Sequence, residues 1–258
     1  MDPTLVILPT YNERENIENL ANRVLAAIPE VHILIVDDNS PDGTGRIADG
    51  LAESNSHIHV LHRLDKSGLG AAYRAGFAWG LDAGFTVLVE LDADGSHQPE
   101  QLHRLLDRVS TADLVLGSRW VRGGEVKDWA PNRILLSRAG SLYARVALGL
   151  PFRDITGGYR AFTAHALEVI DFASVSSQGY CFQIDMLWRA HRAGLAVAEV
   201  PITFVEREFG TSKMSSAIVL EAILRVTYWG LTALPARLRG RRFTPTTAVV
   251  DGEHAQVG

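Results

Sequence analysis

The chain has 258 residues, 47% of them hydrophobic, enough to bury the core of one large domain or of a domain with a small appendage. Its formal net charge of -5 at pH 7 argues against a general nucleic-acid binder, which carries a basic excess, so no nucleic-acid partner is expected. The single cysteine, Cys181, excludes an internal disulfide, and no CxxC or HExxH spacing is present; a reducing cytosol fits best.

The opening "MDPTLVILPTYNERE" passes from a short apolar run straight into polar residues, without the basic and apolar regions of a secretory signal. "LVIL" (5–8), "ILIV" (33–36) and "TVLV" (86–89) have the length and composition of buried parallel strands. Between them, Ile17, Leu20, Val24 and Ile28 recur at helical spacing, and a second helix is predicted from Leu69 to Leu81. "PEQLHRLLDRV" reads as a helix opened by Pro99, and "DLVLG" (113–117) as the next strand. This alternation predicts an α/β sheet with crossover helices, whose ligands bind beyond the carboxyl ends of the strands. The polar clusters "PTYNE", "DDNSPDGT" and "ELDADGS" fall at those ends.

Toward the carboxyl terminus, residues 215–242 are strongly apolar but interrupted by Glu221 and Arg225, so no uninterrupted spanning stretch remains. With Tyr228, Trp229 and the later Arg237, Arg239, Arg241 and Arg242, the segment suits an amphipathic helix at a membrane surface, a core helix being the alternative. Residues 243–258 lack apolar periodicity and are expected to form a disordered tail after a catalytic domain over 1–214.

Several motifs admit a second reading. "NSPDGT" has turn composition, but it follows a buried strand. "KSGLGAAYRAG" (66–76) is not a dinucleotide fingerprint, because Tyr73 stands where the third glycine belongs. No Walker A loop is present, and the histidines, His57, His59 and His62 among them, show no ligand-like pairing. In "TVLVELDADGSHQPE" an apolar strand ends in carboxylates at alternate positions, Glu90, Asp92 and Asp94. Residues two apart in extended chain point to one side, so Asp92 and Asp94 present their oxygens together and need either a cation or proton chemistry. Two chemistries fit: an aspartyl phosphohydrolase with Asp92 as nucleophile and Asp94 as acid/base, or a Mg²⁺ or Mn²⁺ site gripping a nucleotide diphosphate. Two other polar strand ends precede the pair, which favours the second.

"VILPTYNERENI", "IVDDNSPDGT", "KSGLGAAYRAGF", "ELDADGSHQPE", "LGSRW", "DITGGYRAF", "GYCFQIDM" and "EVPITFVEREFGTSKM" occur here in one order. Over about residues 4 to 235 that order resembles the dolichol-phosphate or polyprenol-phosphate mannose synthases, inverting glycosyltransferases of family 2 with the Rossmann-like GT-A fold. The first four motifs are shared with many glycosyltransferases, whereas the last three resemble the polyprenyl-phosphate branch. The resemblance implies mannose transfer from GDP-mannose to a polyprenyl phosphate with inversion, a β-linked product and work at the cytoplasmic face of a membrane. A membrane-protein partner would serve as anchor, and a family 2 enzyme using UDP-glucose or another sugar nucleotide is the nearest alternative. It further implies that Pro9, Tyr11, Glu13, Val36 and Asp38 frame guanine and ribose, that Asp92, Ala93 and Asp94 contact the donor, and that Asp92 and Asp94 hold the metal. Where members of the family often carry a metal-contacting Gln, this chain has Ser96, so Ser96 or water fills the place, with Gln98 a less favoured substitute. Arg119, Arg133 and Ser137 match the acceptor-phosphate residues, and Arg207 and Lys213 those near the donor diphosphate or sugar. A phosphate acceptor is already an anion near neutral pH, so the reaction needs cations in place rather than a strong base.

Overall fold

The computed structural model of the chain describes residues 2–177, 179–207, 216–238 and 249–250. In chain order these form β1 (Thr4–Thr10), α1 (Ile17–Ala27), β2 (His32–Asp37), α2 (Thr44–Ser54), β3 (Ile58–His62), α3 (Leu69–Asp82) and β4 (Val87–Glu90). There follow α4 (Leu102–Val109), β5 (Leu114–Ser118), β6 (Glu125–Lys127), α5 (Pro131–Leu148), β7 (Arg160–Thr163), α6 (Ala164–Ile170) and α7 (Gly179–Ala193). The last elements are β8 (Val197–Pro201), β9 (Thr203–Val205), α8 (Ser216–Leu238) and β10 (Val249–Val250).

Eight strands make one sheet in the order β10-β8-β5-β7-β4-β1-β2-β3, while β6 and β9 form a separate parallel pair. The sheet is parallel except for β7, which runs antiparallel between β4 and β5. Strand side chains alternate between faces, and both faces are covered. Val6, Leu8, Ile33 and Ile35 join Ile17, Leu20 and Val24 of α1 in one layer, and Leu5, Ile7, Leu34 and Leu88 join Phe77 of α3 and Phe162 in the other. Because β2, β1 and β4 are consecutive in the sheet and parallel, their carboxyl ends lie side by side. The three acidic loops of the sequence are thereby brought to one edge.

Some elements differ from expectation. Pro99–Gln101 is a 3₁₀ turn, and the α-helix begins only at Leu102. β3 was hidden in "HIHVLH" because His57 and His59 replace the apolar residues expected of a strand. These rings instead stack with His32, at 4.5 and 5.2 Å between centroids, beside Phe85. Within the expected tail, Val249–Val250 pairs in parallel with β8, a short β-branched stretch suited to a sheet edge; residues 243–248 and 251–258 lie outside the described ones, as do Lys213, Arg239, Arg241 and Arg242.

The carboxyl-terminal helix has one face against the domain and one exposed. One face of α8 packs on α5 and α7: Val226 is buried, Tyr143 Oη lies 2.5 Å from Thr227 Oγ1, and Trp229 stacks on Trp188. The other face leaves Leu220, Leu224, Tyr228 and Leu231 exposed. Glu221 and Arg225, one turn apart, pair at 2.8 Å. Among the described residues no helix is long and apolar enough to cross a membrane.

The close fit of α3 on the sheet depends on glycine. A Cβ at Gly76 would stand 2.6 Å from Ile7 Cγ2, a methyl of a β-branched, wholly buried side chain with no room to turn away. Gly76→Ala gains about 1 kcal/mol of helix propensity but overpacks the core by about 1–3 kcal/mol. The expected outcome is a lower Tm by calorimetry; an unchanged or raised Tm would show that α3 can lift off β1 freely.

Candidate active site

The first two loops are built as one unit. Asp37 closes the end of β2, accepting from Thr10 Oγ1 at 3.1 Å and from Ser40 Oγ at 2.5 Å. Asp42 accepts from Thr44 N and Oγ1 and from Arg14 N, and Thr44 Oγ1 accepts from Glu13 N at 3.0 Å. Asn12 and Asn39 adopt left-handed backbone, φ 60° and 56°, which asparagine tolerates better than most residues. "NSPDGT" is therefore a turn that is bonded to the loop after β1.

The residues assigned to the nucleotide divide into two groups. Tyr11 faces Lys66, whose Nζ lies 3.9 Å from the ring centroid, and Asp38 is paired with Arg63 at 2.6 Å. Burial raises the Asp38 carboxyl above its ordinary range, and Arg63 only partly offsets this. Pro9 is half-buried, and the buried Glu13 accepts from Asn16 Nδ2. Val36 differs: its side chain is wholly inside the core, so only its main chain is available to a ligand.

The turn after β4 holds the carboxylate pair. Asp92 Oδ1 accepts from Tyr73 Oη at 3.1 Å, and the Asp92 amide donates to His97 Nδ1 at 3.2 Å. His97 is buried between Tyr159 and Phe204, which drives its pKa below the usual imidazole value by burial. It braces the turn. Sequence reading missed it because a lone buried histidine carries no spacing signal, although the five-residue interval from Asp92 is suggestive once the turn is known. Asp94 Oδ1 accepts from Ser96 Oγ at 2.6 Å and Ser96 N at 3.1 Å, while Oδ2 lies 3.1 Å from Arg207 Nη1. Burial raises the Asp94 pKa, but Arg207 and Ser96 outweigh it and the carboxyl is held below its ordinary value. Asp92 goes the other way, burial being the largest cause.

Glu90, the first of the three alternate carboxylates, does not join them. It is fully buried, opposite Arg160 in the β4–β7 register, and burial pushes its pKa up to about 8 despite that arginine. Ser96, expected as a metal contact, is buried with its hydroxyl donated to Asp94, so it orients the carboxylate. Gln98 is likewise engaged, with Arg23 and Gly95. Among the described residues no group of three His, Cys, Asp or Glu side chains could hold a metal ion. The donor set is thus two carboxylates, Asp92 being 31% and Asp94 13% exposed. Hard oxygen donors of that number fit Mg²⁺ or Mn²⁺ that completes its shell with diphosphate and water.

The arginines assigned to the acceptor gather at a groove of about 350 Å³ between α5 and α8. Arg133, Ser137 and Arg119 line it together with Tyr143, Ala144 and Ile223. From Arg133 to Ala144 the groove follows α5 for about 16 Å, at 1.5 Å per residue. Arg119 is clamped on its floor by Asp154, with Nε–Oδ2 and Nη2–Oδ1 both 2.7 Å, and its guanidinium is near Trp120, Trp129 and Phe204. Burial opposes the Asp154 charge, but Arg119 prevails and holds the carboxyl below its ordinary range. Arg133 stacks 4.0 Å from the Trp129 centroid and is ion-paired with Glu206.

Comparison with known proteins adds an independent line. The family model "Glycosyl transferase family 2" matches residues 5–170. A polyprenol monophosphomannose synthase of Mycolicibacterium smegmatis is 56% identical over 239 residues, covering 92% of this chain and 90% of that protein. An undecaprenyl-phosphate mannosyltransferase of Micrococcus luteus is also 56% identical, over 92% of this chain and 98% of its own. The fold is similar to glucosyl-3-phosphoglycerate synthase from Mycobacterium tuberculosis, crystallised with Mn²⁺, UDP and glucosyl-3-phosphoglycerate. There the TM-score is 0.61 at 20% identity, over 95% of this chain and 82% of that one.

Removing the partner of Arg119 tests the groove floor. Asp154→Asn leaves a buried guanidinium unbalanced and should lower stability by about 3–5 kcal/mol in urea unfolding at pH 7. Because the folded pKa of Asp154 lies below its unfolded value of about 3.9, its contribution is complete above about pH 5 and fades as pH falls through the folded value. The gap between wild type and variant should therefore narrow steadily as pH falls below about 4; a constant gap would mean that the lost interaction is not ionic.

Proposed function

The chain belongs to glycosyl transferase family 2, among its polyprenol-phosphate mannose synthases, and from that premise we propose that it moves mannose from GDP-mannose to a polyprenyl phosphate with inversion. The product is a β-linked polyprenyl phosphate mannose. Family membership sets aside the aspartyl phosphohydrolase reading.

The observation that carries the proposal is the meeting of a cationic mouth and an apolar groove beside two carboxylates. Asp92 and Asp94 would hold Mg²⁺ or Mn²⁺, which when bound neutralises the diphosphate leaving group. Tyr11, Glu13, Asp38 and the main chain at Val36 frame the nucleotide, and Arg207 stands beside Asp94 to meet the diphosphate. Arg133 and Ser137 hold the acceptor phosphate behind C1, over the anchored Arg119. The prenyl chain then runs along α5 toward Ile223 and Val226 of α8. The phosphate oxygen attacks as an anion, so orientation and charge stabilisation replace a general base.

The same helices support a peripheral place on the cytoplasmic face of a membrane. α5 has Arg133, Arg138 and Arg145 and no acidic residue, and it exposes Leu135, Leu142 and Val146 beside the apolar face of α8. Apolar side chains with interspersed arginine suit an anionic lipid surface.

Two substitutions separate the halves of the site. Asp94→Asn should nearly abolish mannosyl transfer at saturating Mg²⁺ and Mn²⁺ while thermal unfolding stays near wild type; activity near wild type in both metals would show that this pair is not the metal site. Arg133→Ala should lower kcat/KM for a short-chain polyprenyl phosphate about 30- to 1000-fold, ~2–4 kcal/mol, and leave GDP-mannose binding by calorimetry almost unchanged. Weakened donor binding with intact acceptor kinetics would move Arg133 to the donor side.

A further inference from the structure

Two arginines that the proposed reaction needs are each held by a carboxylate, and both contacts meet in one dipeptide. Arg207 pairs with Asp94 of the metal turn, and Glu206 pairs with Arg133 at the mouth of the groove. Consecutive side chains of extended chain leave on opposite sides. The strand end after β9 thus reaches the donor half with one residue and the acceptor half with the next.

This strand end is fastened on both flanks. Val205 N donates to Ser96 O at 3.0 Å, Phe204 bridges His97, and Glu206 N donates to Lys127 O at 3.2 Å. The two ion pairs therefore sit on adjacent residues of one short, tethered piece of backbone. Arg207 holds the Asp94 carboxylate that would take the divalent cation, so a bound cation and diphosphate would draw Arg207 away from it. On the acceptor side, a phosphate that approaches Arg133 meets the negative charge of Glu206 first. Arg133 and Glu206 are each about one-third exposed, 33% and 34%, so the pair is weak enough to exchange.

We propose that Glu206 is a positioning residue that clasps Arg133 and makes binding of the acceptor phosphate depend on occupancy of the donor site; the inference rests on the reading of Arg133 given above. A polyprenyl phosphate then binds the cradle more tightly when a sugar nucleotide is present. Other phosphate-bearing lipids gain little hold on the donor-free protein. Coupling of this kind is reciprocal, so the acceptor tightens the nucleotide by the same factor.

The test is calorimetric titration of the full chain with geranyl phosphate, with and without GDP and Mn²⁺. In the wild type, GDP and Mn²⁺ should tighten geranyl phosphate about fivefold, a coupling at the low end of the usual range. Glu206→Gln should bind geranyl phosphate without GDP as tightly as the loaded wild type does, with no further gain from GDP; Glu206→Asp should restore the dependence. Tighter binding in Glu206→Gln that still improves fivefold with GDP would make Glu206 a mere nearby charge and overturn the coupling. Unchanged binding would overturn it as well. A wild-type protein that binds GDP and Mn²⁺ yet never geranyl phosphate would overturn the acceptor reading itself, a failure distinct from loss of coupling alone.

Discussion

Arg119 and Asp154 meet where almost no water reaches, with side chains 5% and 0% exposed, and this contact joins the parts on which the groove depends. Arg119 follows β5, and Asp154 lies in the loop leading to β7. The carboxylate also accepts the Arg119 amide, so backbone and side chain are fixed together. Asp154 is held in turn by its own amide, which donates to Glu199 of β8 at 2.9 Å. A buried charge pair of this geometry is poor evidence for extra stability, since desolvation offsets much of the attraction. Its effect is to define one position for a guanidinium that Trp120, Trp129 and Phe204 then surround.

A second buried acid and base lie opposite each other in the sheet, here with the base bonded to carbonyl oxygens instead of to the acid. Glu90 and Arg160 face each other across the β4–β7 register, and Arg160 is closed off by the carbonyls of Ile155, Gly157 and Gln183. Burial lowers the Arg160 pKa to about 10, against the charge of Glu90. β7 thereby carries a positive charge into the acidic edge formed by β2, β1 and β4. Asp92 and Asp94, two and four residues farther on, remain partly exposed, where hard cations and diphosphates can reach them. The alternate carboxylates thus divide by depth into one that is structural and two that are available to ligand.

The acceptor half follows a different physical logic. Arg119 and Arg133 line an otherwise apolar groove, an arrangement that suits a ligand with a charged head and a long hydrocarbon tail. Gly230 of α8 lies close to Ala147 of α5, where a Cβ would stand 2.8 Å from the Ala147 carbonyl oxygen, so the helices approach nearly backbone to backbone. With α8 seated there, each of the two helices keeps apolar residues exposed on the side that does not face the core. The groove and these exposed sides are products of the same packing.

What the sequence determined by itself is whatever adjacent residues record. The buried runs at 5–8, 33–36 and 86–89 and the carboxylates at their ends were legible because strand alternation and strand-end chemistry are written within a few positions. Arg133 and Ser137 shared a helix face for the same reason. The tertiary structure alone decided which distant residues meet: Arg119 with Asp154 across 35 positions, Arg133 with Glu206 across 73, and Glu90 with Arg160 through the reversed strand β7. It also turned Ser96 onto Asp94 and gave His97 its place behind Asp92. Such pairings depend on the path of the chain between the partners, and that path is set by how whole layers pack rather than by any local pattern.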